Sequence, residues 1–258
     1  MFKNSKKTMG KPSPHSWAYM VAAFLSHEGV AKASELEEQA TPLELELAYT
    51  ADVWNLASGD GSDDLRYLDN FDIVLNADLD ELIGLNDTTV SVYGLYNNGN
   101  SFSEDIVGDV LAISNIEAPV DAFRLYEAWV EHRFGGGPVS ARFGLYDLNS
   151  EFDALETSSL FIGSAHGIGA DISQSGETGP SIFPITSLAL RLEYEVSDAL
   201  KFRTAILDGV AGDPDKLKKT TINLSDRDGA LLITEADYQA GPFRAIGGFW
   251  HYTSSVDR

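Results

Sequence analysis

The stretch "SLALRLEYE" (187–195) decides the fold, because its residues alternate strictly between apolar and charged types. The large apolar members occupy even positions: Leu188, Leu190, Leu192 and Tyr194. The charged members occupy odd positions: Arg191, Glu193 and Glu195. A period of two residues is that of a β-strand with one apolar and one polar face.

The same alternation recurs along the chain and predicts about nine strands. They fall near 43–54, 70–80, 89–97, 123–134, 139–147, 186–196, 200–208, 229–238 and 243–252. Most of these segments have about nine to twelve residues, which is the length of a tilted strand that crosses a membrane. Strands of soluble proteins average nearer five or six residues. One helical turn is also predicted, in "DLDELIGL" (78–85).

The connections between these strands alternate in length. The long ones are 55–69, 98–122, 148–185 and 209–228, and the short ones are 81–88, 135–138, 196–199 and 239–242. An antiparallel meander with long loops at one end and tight turns at the other is typical of outer-membrane barrels. The pattern therefore predicts an all-β fold, an antiparallel transmembrane β-barrel.

Composition excludes several classes of function. The 258 residues include no cysteine, which removes disulfides, thiolate metal sites and cysteine nucleophiles. The net charge of −22 argues against a nucleic-acid partner, which requires clustered Lys and Arg. No metal-ligand spacing or nucleotide-binding motif is present, so we predict no cofactor.

The first 33 residues have the organisation of a secretory signal peptide. A basic segment with four lysines precedes the apolar run "WAYMVAAFL" (17–25), and "AKA" (31–33) has the small-x-small form of a cleavage site. The apolar run is too short to span a bilayer. We expect residues 1–33 to be removed on export and residues 34–258 to form the barrel domain.

The polar faces of the strands carry many charges. In "FRLYEAWVEHRF" (123–134), strict alternation puts Glu127, Trp129, Glu131 and Arg133 on one face, and Tyr126, Ala128 and Val130 on the other. In a membrane barrel the apolar face contacts lipid and the polar face lines water. In a soluble sandwich the apolar face would instead form a core, and alternation alone leaves both arrangements open.

Several stretches resemble the carbohydrate-selective porin family of the OprB type. They are "LELAYTADVW" (45–54), "RYLDNFDIVLNADL" (66–79), "VYGLYNNGNSFSE" (92–104), "SNIEAP" (114–119), "RLYEAWVEHRFGGG" (124–137), "FGLYDLNSEFD" (143–153), "GPSIFPITSLALRL" (179–192) and "ILDGVAGDP" (206–214). The resemblance implies a bacterial outer-membrane porin with a sixteen-stranded barrel that passes small sugars passively. It also implies contact with outer-membrane lipid and lipopolysaccharide.

The chain departs from that family in its strand count. The sequence predicts about nine strands, an odd number, whereas bacterial barrels have an even number of strands. The last residues, "HYTSSVDR", also lack a final strand that ends in an aromatic residue. We therefore expect residues 34–258 to be the N-terminal part of a porin barrel, from a truncated gene or partial sequence.

A sugar pore needs hydrogen-bonding groups and a ring that packs on the C–H face of a sugar. Strand parity predicts that Glu127, Trp129 and Arg142 face the lumen. We place four further candidates near its mouth: Arg124, Asp147, Asn149 and Glu151. The long loop 148–185 is the one that we expect to fold inward and narrow the pore.

Two other functions fit parts of the pattern. Asp147 and Glu151 could be the acid pair of a secreted glycoside hydrolase, which needs two carboxylates about 5–9 Å apart. A soluble glycan-binding sandwich is the other alternative. Neither explains the alternation of long and short connections, so we predict a pore and not an enzyme.

Overall fold

The computed structural model describes residues 41–58, 65–109, 111–225 and 227–254, so the predicted signal peptide lies outside the described residues. Within these residues, nine strands form one antiparallel sheet in chain order. They are β1 (Leu43–Trp54), β2 (Arg66–Asp78), β3 (Thr88–Asn98), β4 (Asp121–Arg133), β5 (Val139–Tyr146), β6 (Ser187–Ser197), β7 (Leu200–Asp208), β8 (Ala230–Ala240) and β9 (Phe243–Tyr252). The predicted antiparallel meander is confirmed.

Two short α-helices accompany the sheet in the described part of the chain: α1 (Leu79–Ile83) and α2 (Ala170–Ser173). The first confirms the predicted helical turn. The carboxylate of Asp78 caps its N-terminus by accepting from the amide of Asp80, and Gly84 ends it in a left-handed conformation. Among the described residues, none of the helices has the length and apolar character needed to cross a bilayer.

The sheet has an apolar face and a charged face, and β6 shows both. On the apolar face, Leu190, Leu192 and Tyr194 are 42%, 44% and 48% exposed. On the charged face, Arg191 and Glu193 are only 1% and 7% exposed. The apolar side is therefore the open one, which is the reverse of a soluble sandwich. Large apolar residues are exposed in the same way on other strands, including Leu45, Leu47, Phe143, Phe202, Ile206 and Phe249.

The sheet is open in the described part of the chain. Strand β1 pairs only with β2 there, and β9 pairs only with β8. All the long connections lie at one end of the strands, called here the long-loop end, and the tight turns lie at the other. This asymmetry confirms the predicted alternation.

A β-bulge in β4 corrects one prediction from strand parity. Tyr93 pairs with Glu127 whereas the adjacent Gly94 pairs with Leu125, so Tyr126 is an extra residue in β4. The extra residue places Tyr126 and Glu127 on the same face. The prediction that Tyr126 lies on the apolar face is wrong, since its side chain is 4% exposed and its hydroxyl contacts a group beside Glu127.

Strand β5 is the shortest strand, and its contact with β4 is limited. The ladder between them joins 128–133 to 140–145, so residues 121–127 of β4 have no partner in β5. Within that ladder Gly144 adopts a φ of +148°. A Cβ atom at Gly144 would lie 2.1 Å from the carbonyl oxygen of Ala128, so only glycine fits the close approach of the two strands.

The β5–β6 loop (147–186) folds back onto the charged side of the sheet. Its residues Leu148, Phe152 and Ile172 are at most 3% exposed. They form one apolar cluster with small and aliphatic residues that lie on that side of the strands: Ala189, Ala205, Leu207, Leu231 and Ile233. The loop thus occupies space beside the charged face at the long-loop end, as the sequence predicted.

The β3–β4 loop (99–120) packs on the same charged face, over the strands nearer β1. Phe102 stacks on Trp54 of β1 with 5.9 Å between ring centroids. The carboxylate of Glu117 organises the loop by accepting bonds from the side chains or amides of Ser101, Phe102, Ser103 and Ser114. The two loops are joined, because the amide of Asn115 donates to the carbonyl of Ile162 (2.7 Å) and that of Ser164 to Ala112 (3.0 Å).

Candidate functional site

A buried ion-pair network lies where the β5–β6 loop meets the charged face. Arg191 donates to both oxygens of Glu151, from Nε to Oε2 at 2.8 Å and from Nη2 to Oε1 at 2.7 Å. The hydroxyl of Tyr146 donates to Oε2 at 2.6 Å. Both oxygens of Glu151 are therefore engaged, and this carboxylate joins the loop to β5 and β6.

Electrostatics favour the charged form of Glu151. Burial raises the pKa of Glu151, but the guanidinium groups of Arg142 and Arg191 outweigh it, so the pKa lies below its usual value. The buried pair of Arg191 and Glu151 is further stabilised because Arg191 also donates to Ser140 Oγ (2.7 Å) and to Glu131 Oε2 (2.9 Å). Two carboxylates and one hydroxyl thus bind the guanidinium of Arg191, whose side chain is 2% exposed.

Arg142 forms the second centre of the network. Its Nε donates to Glu131 Oε2 at 2.8 Å, and its Nη2 lies 3.6 Å from Glu151 Oε1. The guanidinium carbon stands 3.9 Å from the ring centroid of Trp129, which is a cation–π contact. The guanidinium is therefore stacked over the ring, and 15% of the arginine side chain is accessible.

Asp147 stands at the first position of the loop and is linked to the β4 bulge. Its Oδ2 accepts from the Tyr126 hydroxyl (2.6 Å), its Oδ1 accepts from the amide of Asn149 (2.9 Å), and its own amide donates to Glu127 Oε1 (2.8 Å). Burial raises the pKa of Asp147 to about 6, although these two accepted bonds act in the opposite direction.

A second network continues the charges toward the edge of the sheet. Arg203 donates to Glu193 Oε2 at 2.6 Å and to the carbonyl of Glu151 at 3.2 Å. In β9, Arg244 donates to both oxygens of Asp237, at 2.9 and 2.8 Å. Strands β4 to β9 therefore carry arginines and carboxylates in close pairs along the charged face.

The charged face of β1 to β3 is mainly acidic. In the register of β1, β2 and β3, residues paired across neighbouring strands have side chains on the same face of the sheet. Five carboxylates of these strands lie on the charged face: Glu44, Glu46, Asp52, Asp72 and Asp78. Asp72 accepts from the Tyr93 hydroxyl at 2.7 Å, and Asp52 accepts from Ser114 of the β3–β4 loop at 2.6 Å. The charged face is thus balanced on one side and net negative on the other.

The structure brings together five of the seven predicted site residues. Glu127, Trp129, Arg142, Asp147 and Glu151 belong to one connected set of contacts. Asn149 lies beside them, but its amide group donates to the carbonyls of Phe152 and Gly167 and shapes the loop. Arg124 lies elsewhere, since its Nε and Nη2 donate to the carbonyl of Leu217 in the β7–β8 loop (209–229), at 2.9 and 2.6 Å.

Sequence reasoning left out four members of this set. Arg191 and Glu131 were assigned to the polar face by parity but were not selected as site residues. The signal that could have found them is the pairing of opposite charges on neighbouring strands, as in Glu131 with Arg142. Tyr126 was hidden by the bulge, and the contact of Tyr146 with Glu151 depends on the path of the loop.

An antiparallel sheet that exposes an apolar face, buries charges on the other face and packs long loops against those charges has the architecture of a porin wall. The chain belongs to the family described as "Carbohydrate-selective porin, OprB family", whose model matches residues 62–258. Proteins of this family are channels.

Two relatives show the extent of the similarity. Porin B of Pseudomonas aeruginosa is 23% identical over 246 residues, which covers 88% of this chain and 52% of that protein. The high-pH structure of Pseudomonas putida OprB is 20% identical, with a TM-score of 0.65 over 78% of this chain and 49% of that chain. The structural likeness shows the shared fold. The chain spans about half the length of these relatives.

Proposed function

We propose that this protein forms a water-filled pore in a bacterial outer membrane and lets small sugars diffuse through it passively. The observation that carries the proposal is the partition of β6, where apolar side chains are exposed and Arg191 and Glu193 are almost fully buried on the opposite face. Apolar strands directed outward and charges directed inward suit lipid on one side and water on the other.

Trp129, Arg142 and Glu127 are the groups that we propose to face the passing solute. The Trp129 ring supplies an apolar surface for the C–H face of a sugar, and the guanidinium of Arg142 stands 3.9 Å from it with donors for hydroxyl groups. The indole nitrogen of Trp129 is buried without a hydrogen-bond partner among the described residues, so the ring offers a sugar its apolar surface and not a donor.

Asp147, Asn149 and Glu151 hold the narrow part of the pore in place. Their hydrogen bonds run to the wall at Tyr126, Tyr146 and Arg191 or to the carbonyls of the loop itself. The sequence-based prediction places these three residues near the mouth of the pore as candidates for contact with sugar. We now propose that Glu151 and Asn149 set the path of the β5–β6 loop, and that Asp147 adds a titratable charge beside it.

Closure of the pore requires strands between β9 and β1. An open strand edge exposes unpaired amide and carbonyl groups, which lipid cannot satisfy. We propose that further antiparallel strands join Phe243–Tyr252 to Leu43–Trp54 in the working pore. Export by residues 1–33, and contact of the outer loops with lipopolysaccharide, belong to the same proposal.

The hydrolase alternative is disfavoured by the state of its carboxylates. Both oxygens of Glu151 are held by Arg191, and one also accepts from Tyr146, so this carboxylate is engaged by the wall of the sheet. Asp147 is similarly held by Tyr126 and Asn149. A general acid or nucleophile must instead reach the scissile bond.

Liposome swelling tests the proposed function. Proteoliposomes that contain the porin should swell in isotonic solutions of mono- and disaccharides, at rates that fall with solute size, and an applied sugar should reduce the ionic current through single channels. The matched control is the variant Trp129→Ala, which should keep the ionic current but lose much of its block by sugar. Liposomes that do not swell, with a protein that cleaves or binds glycans in free solution, would refute the pore.

A further inference from the structure

The short β5 leaves a gap in the sheet at its long-loop end. Residues 121–127 of β4 have no ladder with β5, and β6 begins at Ser187. Two carbonyl groups of this stretch accept side-chain hydroxyls from distant loops. Thr220 donates to Leu125 at 2.7 Å, and Thr186 donates to Tyr126. The gap is therefore filled by loop segments in place of a strand.

The β7–β8 loop reaches this gap from β7 and β8, across the position of β5 and β6. Arg124 holds it there with two hydrogen bonds to the carbonyl of Leu217. Lys218 pairs with Asp121 at the start of β4. At the base of the loop, a Cβ on Gly212 would lie 2.6 Å from the side chain of Ile185, so the loop packs directly beside Thr186.

Arg124 is almost fully buried, at 3% exposure, although it has no carboxylate partner among the described residues. Its third nitrogen, Nη1, reaches the side-chain oxygen of Asn97 at 2.8 Å when that amide is oriented to satisfy its neighbours. The guanidinium of Arg124 donates to a loop carbonyl, and a buried guanidinium without an acceptor would cost free energy. The bonds to Leu217 therefore stabilise the buried charge of Arg124, and Arg124 in turn holds the β7–β8 loop in place.

We propose that the β7–β8 loop is a seal that completes the barrel wall above β5, and that Arg124 is its positioning residue. The seal separates the outer mouth of the pore from the surrounding lipid. This assignment gives Arg124 a role different from contact with sugar, and it rests on the proposed pore for its meaning. The hydroxyls of Thr186 and Thr220 join the two loops to the carbonyls of β4.

The 258 residues contain no cysteine, so a Ser187→Cys reporter is the single thiol among them. Ser187 is 2% exposed and directly follows Thr186, and its hydroxyl has no hydrogen-bond partner among the described residues, so the reporter keeps both threonine contacts and its labelling by N-ethylmaleimide should require the seal to open. The reporter is placed in the membrane-inserted porin, alone and combined with each test variant. Because every protein carries the same reporter, the rates are directly comparable.

Arg124→Gln should raise the labelling rate on the order of tenfold to a hundredfold, since hydrogen bonds from a charged group are lost and the rate follows the open population. Arg124→Lys, which keeps a charged donor, should give an intermediate rate. Thr220→Val should raise the rate several-fold, and Thr220→Ser should leave it unchanged. Arg227→Gln removes an exposed arginine of the same loop and should also leave it unchanged.

Unchanged labelling in both Arg124→Gln and Thr220→Val would overturn the seal, as would equal acceleration by Arg227→Gln. The Thr220 pair decides the question if Arg124→Gln fails to fold. Sugar flux is measured on the same vesicles. If sugar passes but none of the variants changes the labelling rate, the proposed seal is rejected and the proposed pore is retained. A labelling response without flux in the unaltered porin rejects the pore itself.

Discussion

Arg191 and Glu151 form a two-point ion pair that joins β6 to the β5–β6 loop, with both nitrogen–oxygen distances below 2.9 Å. Forty residues separate them in the chain, and the side chain of Arg191 is 2% exposed. The geometry of this pair fixes where the loop leaves the wall.

Glu151→Gln should weaken the hold of the loop. The change removes one of the two carboxylates that compensate Arg142 and Arg191 and leaves both guanidinium groups to share Glu131, which costs about 3 kcal/mol of folding free energy. Thermal unfolding in detergent should show the loss, and single-channel conductance should rise as the loop moves away from the wall. Glu177→Gln, an equal charge change at an exposed position of the same loop, should alter neither quantity.

Trp129→Ala should reduce sugar recognition without narrowing the pore. The ring stands against Arg142 at 3.9 Å, and losing it removes both the apolar surface and the support of the guanidinium. The sugar concentration for half block of the ionic current should rise roughly threefold to tenfold, consistent with a contact of about 1 kcal/mol. Trp129→Phe keeps an aromatic face and should recover most of the block; an Ala variant with unchanged block would remove Trp129 from the sugar path.

The selectivity of the pore for cations should depend on pH near 6. The pKa of Asp147 is raised to about 6 by burial, so its charge is present above that pH and is lost as the pH falls through it, where an ordinary carboxylate would still be ionised. The cation-to-anion permeability ratio, from reversal potentials, should therefore decrease between pH 7 and 5. Asp147→Asn should abolish this step and hold the low-pH ratio throughout; a step that persists in the variant would assign it to another group.

Gly144→Ala should destabilise the junction of β4 and β5. The added methyl would meet the carbonyl oxygen of Ala128 at 2.1 Å, and the φ of +148° is unfavourable for alanine. We expect a loss of roughly 2 kcal/mol or more, measured by denaturant unfolding of the membrane-inserted protein. Gly247→Ala is the control, because no atom lies within 4 Å of its Cβ position. Equal stability of the two variants would contradict the close packing of the strands.

Sequence periodicity predicted the strands and their faces well, because side-chain direction in a strand depends only on parity. The prediction for 200–208 matches Leu200–Asp208, and the opposed faces of β6 were read from "SLALRLEYE" alone. The start of β2 was placed at 70 and lies at Arg66, because the polar residues of "RYLDN" give no clear alternation.

The site was harder to predict, since its contacts depend on the paths of loops. The bulge at Tyr126 shifts parity by one residue, and no local pattern in "RLYEAW" indicates it. Arg124 was selected as a pore-mouth residue from its type and position, but its partner Leu217 lies 93 residues away. Partners at such distances are set by how the loops pack, which alternation along single strands does not encode.

The partition of the two faces is the central claim, and spin-label accessibility along β6 and β7 tests it most directly. Labels are placed one at a time at Leu190, Leu192 and Tyr194 on the apolar face, and at Glu195 and Lys201 on the charged face, in membrane-inserted protein. The account predicts high collision rates with oxygen and low rates with a water-soluble nickel chelate at the first three positions, and the reverse at the other two. Labels at 190, 192 and 194 that are shielded from both reagents, in a protein that stays dissolved without lipid, would contradict it.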